Sequence, residues 1–178
     1  SLARADEVGR RLGEVRAAGV PVICHADGYG NGTVLMAARG CDEIWVSPAG
    51  GVETVGLAGQ LVFGRALLDK LKVDVDFLQV GDYKGAEEPF TRNSSSPEAR
   101  ASLQNALGAI RESWLKAVAE GRGKSAEALA LEEGPHTPKQ AMALGLVDAV
   151  GFASEARAQA LERAGVTGSH ERFGGFQD

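Results

Sequence analysis

Two cysteines and three histidines are all that the 178 residues offer to a soft metal. Cys24 and Cys41 match no zinc-ligand spacing, and His25, His136 and His170 are scattered, so no metal and no cofactor is expected. The cysteines are expected to be unpaired, mostly buried thiols, with a disulfide between them as the alternative. Basic excess is also missing. The net charge is −5 and no stripe of Lys or Arg stands out, which argues against nucleic acid as a partner. No apolar run approaches the length of a membrane span, and no charged-then-apolar leader opens the chain. What remains is an ordinary globular composition, 44% apolar and 24% charged, in a length that suits one domain with a real core.

Helical and strand patterns alternate. Residues 2–18 read as an amphipathic helix with Leu2, Val8, Leu12 and Val15 on one face, ended by Gly19. "VPVICHA" reads as a buried strand, "DGYGNG" as a glycine-dense turn, and "TVLMAA" as a short helix. "DEIWVSP" is a second strand closed by Pro48, and "AGGVETVG" is a loop. "GQLVFGRALLDKLKV" predicts a helix and "VDFLQVG" a third strand. The stretch from "SSSPEAR" to "AEGRG" predicts a long helix, capped by Ser95 or Ser96, with Pro97 and Glu98 in its first turn. Leu103, Leu107, Ile110, Trp114 and Val118 keep helical spacing along it. "SAEALALEEG", "TPKQAMALG" and "SEARAQALERAG" predict further helices, with "LVDAVG" a short strand between the last two. The order implies an α/β fold around a largely parallel sheet, a single domain over residues 1–165, and a frayed tail over 166–178. The chain opens on a helix that should follow a strand, so it reads as a piece of a larger protein that lacks the first strand of its fold.

"VGDYKGAEEPFTR" carries the chemical interest. A lysine acts as a general base only when neutral, and burial in apolar surroundings can depress its free pKa of ~10.4 by several units. Lys84 follows an apolar stretch, where a loop could turn it inward to deprotonate a serine. Taken from spacing alone, a solvated lysine beside Glu87 and Glu88 is the other reading. Ser94, Ser95 and Ser96 precede a helix and read as caps. His25 near Asp27 has no suitably placed serine to complete a Ser-His-Asp set.

The segment closely resembles the lysine segment of the signal peptide peptidase A (SppA) family. The family pattern is roughly Gly-x-Tyr-Lys-Ser-Ala-x-Glu-Pro-Phe-x-Arg followed by Ser-Pro-Glu-Ala-Arg. Gly81, Tyr83, Lys84, Ala86, Glu88, Pro89, Phe90 and Arg92 match it, as do Ser96, Pro97, Glu98, Ala99 and Arg100. "ALLDKLKVDVDFLQVG", "CDEIWVSPAGGVETVGL" and "TPKQAMALGLVDAVG" resemble its neighbouring segments, so the similarity covers about residues 2–165.

The resemblance implies a ClpP/crotonase-like fold with repeated β-β-α units, incomplete at the N-terminus, and a serine endopeptidase that degrades cleaved signal peptides. Lys84 would be the general base of a Ser-Lys dyad. Tyr83 would orient its loop or pack in the core, and Glu88 would hold that loop or remain a solvated carboxylate. The family's nucleophilic serine falls on Asn31, and its oxyanion turn on about Ala26 and Asp27, so this chain departs from the catalytic pattern there. Gly85 also stands where the family often has serine. Long members carry tandem copies, the N-terminal one keeping the lysine and the C-terminal one the serine. The resemblance therefore implies as partners a serine-bearing C-terminal domain of the same protein, further copies in a ring-like oligomer, and a peptide substrate. Gly50, Gly51, Val52, Glu53, Thr54, Val55 and Gly56 could pair with an extended peptide or form an ordinary connection. The implied location is the bacterial inner membrane, with this domain facing the periplasm. A non-catalytic scaffold is the rival reading, and an acyl-CoA enzyme of the crotonase kind a weaker one.

Overall fold

The alternation of apolar strand and helix produces, in the computed structural model, a parallel sheet flanked by helices. The structure describes residues 1–78, 85–130 and 134–166. In order these form α1 (Leu2–Ala17), β1 (Ile23–Gly30), α2 (Asn31–Gly40), β2 (Glu43–Glu53), α3 (Arg65–Leu71), a 3-10 turn (Gly85–Glu87), α4 (Glu88–Thr91), α5 (Pro97–Arg122), α6 (Ala126–Ala130), α7 (Pro138–Leu144), β3 (Ala149–Val150) and α8 (Ala153–Arg163). The strands lie in the order β1-β2-β3, all parallel. The mixed α/β class with a parallel sheet is thus the one the sequence implies.

The chain divides into two compact units. The larger comprises Ser1–Val55 and Trp114–Asp178, the smaller Gly56–Ser113. The buried hydrophobic cluster belongs to the larger unit. It joins Val34, Leu35 and Ala38 of α2, Ile44, Val46 and Val52 of β2, Leu115 and Val118 of α5, and Leu146 and Val147 before β3. The smaller unit shows the opposite character. Leu61, Val62, Leu67, Leu71, Phe77, Leu78 and Phe90 are all exposed.

Helix α1 meets α2 through backbone rather than through its valines. Val8 and Val15 are exposed, whereas Gly9 is buried. A β-carbon on Gly9 would stand 2.8 Å from the Met36 carbonyl oxygen, and one on Gly40 2.9 Å from that of Gly9. The two glycines let the helices approach closer than side chains would allow, which the valine spacing could not reveal.

Several local expectations change. "DGYG" is not a turn: Gly28, Tyr29 and Gly30 continue β1 and pair with Gly51, Val52 and Glu53. Tertiary pairing and burial of Tyr29 override the glycine signal. Pro48 does not end β2. It lies where the ladder is irregular, between the pairs Ala26–Val46 and Gly28–Gly51, the position in a sheet that tolerates a missing N–H. Gly50–Glu53 are accordingly strand and not loop. The helix predicted over residues 59–73 shortens to α3, since Gly59 and Gly64 weaken its first half. Of the predicted third strand, residues 75–78 carry no ladder, and its remainder lies outside the described residues, as does the tail from residue 167.

The helix signals of the second half hold in detail. Ser96 Oγ accepts the Ala99 N–H at 3.1 Å, capping α5. Thr137 caps α7 over Pro138, its Oγ1 accepting the Gln140 N–H, and Gly145 ends the helix in the left-handed region.

Candidate functional site

Asn31 is the first residue of α2, after Gly30 as N-cap. The Gly30 N–H donates to Thr33 Oγ1 at 2.9 Å, which closes the first turn. Asn31 Nδ2 donates to the Val55 carbonyl at 2.8 Å, and Trp114 Nε1 donates to the Asn31 carbonyl at 2.7 Å. The side chain at the position where the sequence resemblance expects the nucleophile therefore ties the helix start to the chain beyond β2. It carries no hydroxyl, and an amide nitrogen committed to a carbonyl is no nucleophile. Trp114, which the sequence shows only as one apolar position along a helix, is the second fastening of this corner.

The backbone of the candidate peptide-binding stretch is already engaged. Val52 donates to the His136 carbonyl at 3.0 Å and accepts the His136 N–H at 2.9 Å, while β1 pairs with its other side. Thr54 accepts the Gly134 N–H at 2.9 Å. Gly50 comes so close to the Asp27 carbonyl that a β-carbon there would collide with it. An added peptide strand has no free edge at Val52. Of the Gly50–Gly56 stretch, the structure brings Val55 to Asn31, and Gly56 begins the smaller unit.

The positions of the expected oxyanion turn lie at the irregularity of the β1–β2 ladder. Here the structure supplies the serine that the sequence did not offer to His25 and Asp27. Ser47, buried on β2, donates its hydroxyl to Asp27 Oδ1 at 2.5 Å, and its Oγ lies 3.4 Å from His25 Nε2. The register that sets Val46 beside Ala26 could have pointed to it. The wiring is wrong for nucleophilic catalysis. His25 Nε2 also lies 3.1 Å from the Gly151 carbonyl, which can only accept. That nitrogen carries the proton and cannot receive one from Ser47, whose own proton is given to Asp27. The cluster pins the irregular part of β1 to β2 and to the end of β3. Tyr29 is held in the same way: its hydroxyl donates to the Trp45 carbonyl at 3.0 Å, and burial pushes the phenol's pKa well above its usual value.

In the smaller unit Glu88, at the start of α4, is buried. Its Oε2 accepts the Ser96 N–H at 3.0 Å. Hydrogen bonds from the Ser96 side chain and backbone, aided by the nearby positive charge of Arg92, hold its carboxyl below the usual carboxylate range against the opposing effect of burial. Glu88 thus ties the Glu-Pro-Phe turn to the cap of α5, which joins the two halves of the motif. A cleft of about 350 Å³ opens beside it, lined by Leu61, Phe63, Glu88, Pro89, Ser96 and Leu103. Tyr83 and Lys84 lie outside the described residues.

The lowered value of Glu88 fixes the sign of a pH effect. A carboxyl depressed in the folded state stabilises it above the unfolded value of ~4.3, and that contribution is lost as pH falls through the folded value. Stability of the smaller unit is therefore expected to drop more steeply on acidification below about pH 4.3 in the wild type than in Glu88→Gln. Urea unfolding at a series of pH values checks this; equal slopes would mean that the carboxylate charge is not what holds Ser96.

Among the described residues no group of three or more His, Cys, Asp or Glu is placed to hold a metal ion, and no helix is long and apolar enough to cross a membrane.

Comparison with known proteins places these features. The model of peptidase family S49 matches residues 14–167. A Haemophilus influenzae protein named Protease 4 is 37% identical over 121 residues, covering 68% of this chain and 20% of that protein. A Salmonella typhi protein of the same name is 36% identical over 122 residues, with the same coverage of each. Serine protease SPPA, chloroplastic, from Arabidopsis thaliana is 26% identical over 128 residues, covering 71% of this chain and 19% of that protein. The chain spans about a fifth of the length of these relatives. With the family's pattern carried along most of its length, the chain belongs to peptidase family S49, the SppA-type peptidases.

Proposed function

We propose that this chain is the lysine-bearing part of a serine endopeptidase that degrades cleaved signal peptides, with the nucleophile supplied by another domain of the same protein. The observation that carries the reading is Asn31. The residue at the head of α2 is an amide engaged with Val55, so a hydroxyl must come from elsewhere. The length of the relatives leaves room for a domain that bears it.

Neutral Lys84 takes the proton of that serine as its oxygen attacks the peptide carbonyl. The tetrahedral intermediate collapses to an acyl-enzyme, the proton passes to the leaving amine, and water then hydrolyses the ester. Glu88 and the Ser96 cap hold the far end of the lysine segment. The exposed apolar residues of the smaller unit, Leu61, Val62, Leu67, Leu71 and Leu78 among them, suit burial against the serine-bearing domain or further copies in a ring. The Cys24–Cys41 disulfide supports an oxidising compartment, in line with a domain on the periplasmic side of the inner membrane.

A fluorophosphonate probe tests this on the full-length protein. The expected adduct is on one serine outside residues 1–178. An adduct within them, on Ser47 or on Ser94 to Ser96, would overturn the division of labour. Full peptidase activity without the lysine would leave the chain as a scaffold.

A further inference from the structure

Buried free thiols are what the sequence favours; the structure joins them. Cys24 and Cys41 form a disulfide with their Cα atoms 5.9 Å apart, within the usual span of such bonds. Its placement is informative. Cys24 stands near the start of β1, and Cys41 directly follows α2. The bond closes a covalent ring that contains His25, Asp27, the end of β1 and the whole of α2 with Asn31 at its head. Cys41 is buried, and its carbonyl accepts Arg16 Nη1 of α1 at 3.1 Å. The corner at the nucleophile position is thus fastened covalently at its base and by Val55 and Trp114 at its tip.

We propose that Cys24–Cys41 is a redox-sensitive latch on the β1–α2 corner. Oxidised, it holds strand and helix together. A dithiol reductant opens it by exchange: the sulfur–sulfur bond breaks, two electrons and two protons arrive, both cysteines become thiols, and the reductant leaves as its own disulfide. After reduction the corner relies on the Asn31–Val55, Trp114–Asn31 and Gly30–Thr33 hydrogen bonds. The inference is independent of Lys84 and of where the nucleophile lies.

The test uses the full-length protein purified without reductant. Alkylation under denaturing conditions followed by peptide mass mapping is expected to find Cys24 and Cys41 cross-linked, and both alkylated after dithiothreitol. Hydrogen exchange is then compared between the two states. For a loop closed over a separation of 17 residues, amides of β1 and α2 are expected to lose protection on the order of a hundredfold on reduction. The double variant Cys24→Ala, Cys41→Ala should show the reduced pattern and ignore dithiothreitol. If that variant fails to fold, the wild-type comparison still decides. Alkylated cysteines in the unreduced protein, or equal protection in both states, would overturn the latch.

Discussion

Replacing Lys84 with alanine in the full-length protein is expected to lower kcat for a hydrophobic peptide ester by on the order of 10⁴-fold, with KM changed little. A general base acts in the transition state, so removal of one falls on kcat rather than on substrate binding. The expectation rests on the proposed function and on the place of Lys84 in the matched segment, since Lys84 itself lies outside the described residues. Glu87→Gln is the matched control, a change close by in sequence at a residue with no assigned role. Both variants are compared after size-exclusion chromatography shows equal assembly. Near-normal turnover in Lys84→Ala would mean that the base lies elsewhere.

The second large effect is on stability. Ile44→Ala should destabilise the larger unit by about 3 kcal/mol, the usual cost of truncating a well-packed core isoleucine. Ile44 is 2% exposed. Its N–H donates to Asp148 Oδ2 and its carbonyl accepts the Asp148 N–H, both at 2.8 Å. Its backbone N–H and C=O are thus both held by Asp148, and the cavity cannot easily collapse. Both tryptophans, Trp45 and Trp114, belong to the larger unit, so fluorescence during urea unfolding reports on it. Leu67→Ala, an exposed residue of α3, should leave that transition unchanged. A shift below about 1 kcal/mol for Ile44→Ala would mean that the described core does not carry the unit's stability.

Where a local rule sufficed, the sequence was legible. Ser96-Pro97-Glu98 and Thr137-Pro138 announce helix starts because a hydroxyl beside a proline meets the needs of unpaired amides at that end. What failed was non-local. Glycines at 28 and 30 signal a turn until β2 pairs with them, and Pro48 signals a strand end until the ladder irregularity accommodates it. Ser47 joins His25 and Asp27 only through the register of β1 against β2, and Cys24 meets Cys41 only because α2 returns the chain to the start of β1. The approach of Gly9 to Gly40 was hidden because small residues leave no hydrophobic stripe. For the site, the motif from Gly81 to Arg100 rests on resemblance, and the structure supplies the physical role of one member, Glu88 as the holder of the Ser96 amide. The two fastenings of Asn31, from Val55 and Trp114, join residues far apart in sequence and needed the fold to be seen.

One measurement addresses the central claim most directly: the rate at which a fluorophosphonate modifies the full-length protein, in wild type and in Lys84→Met. Methionine fills similar space and cannot take a proton. The account predicts a single modified serine outside residues 1–178 in the wild type and a rate lower by orders of magnitude in the variant. An equal rate in the two proteins would contradict it, because that serine would then be activated without Lys84.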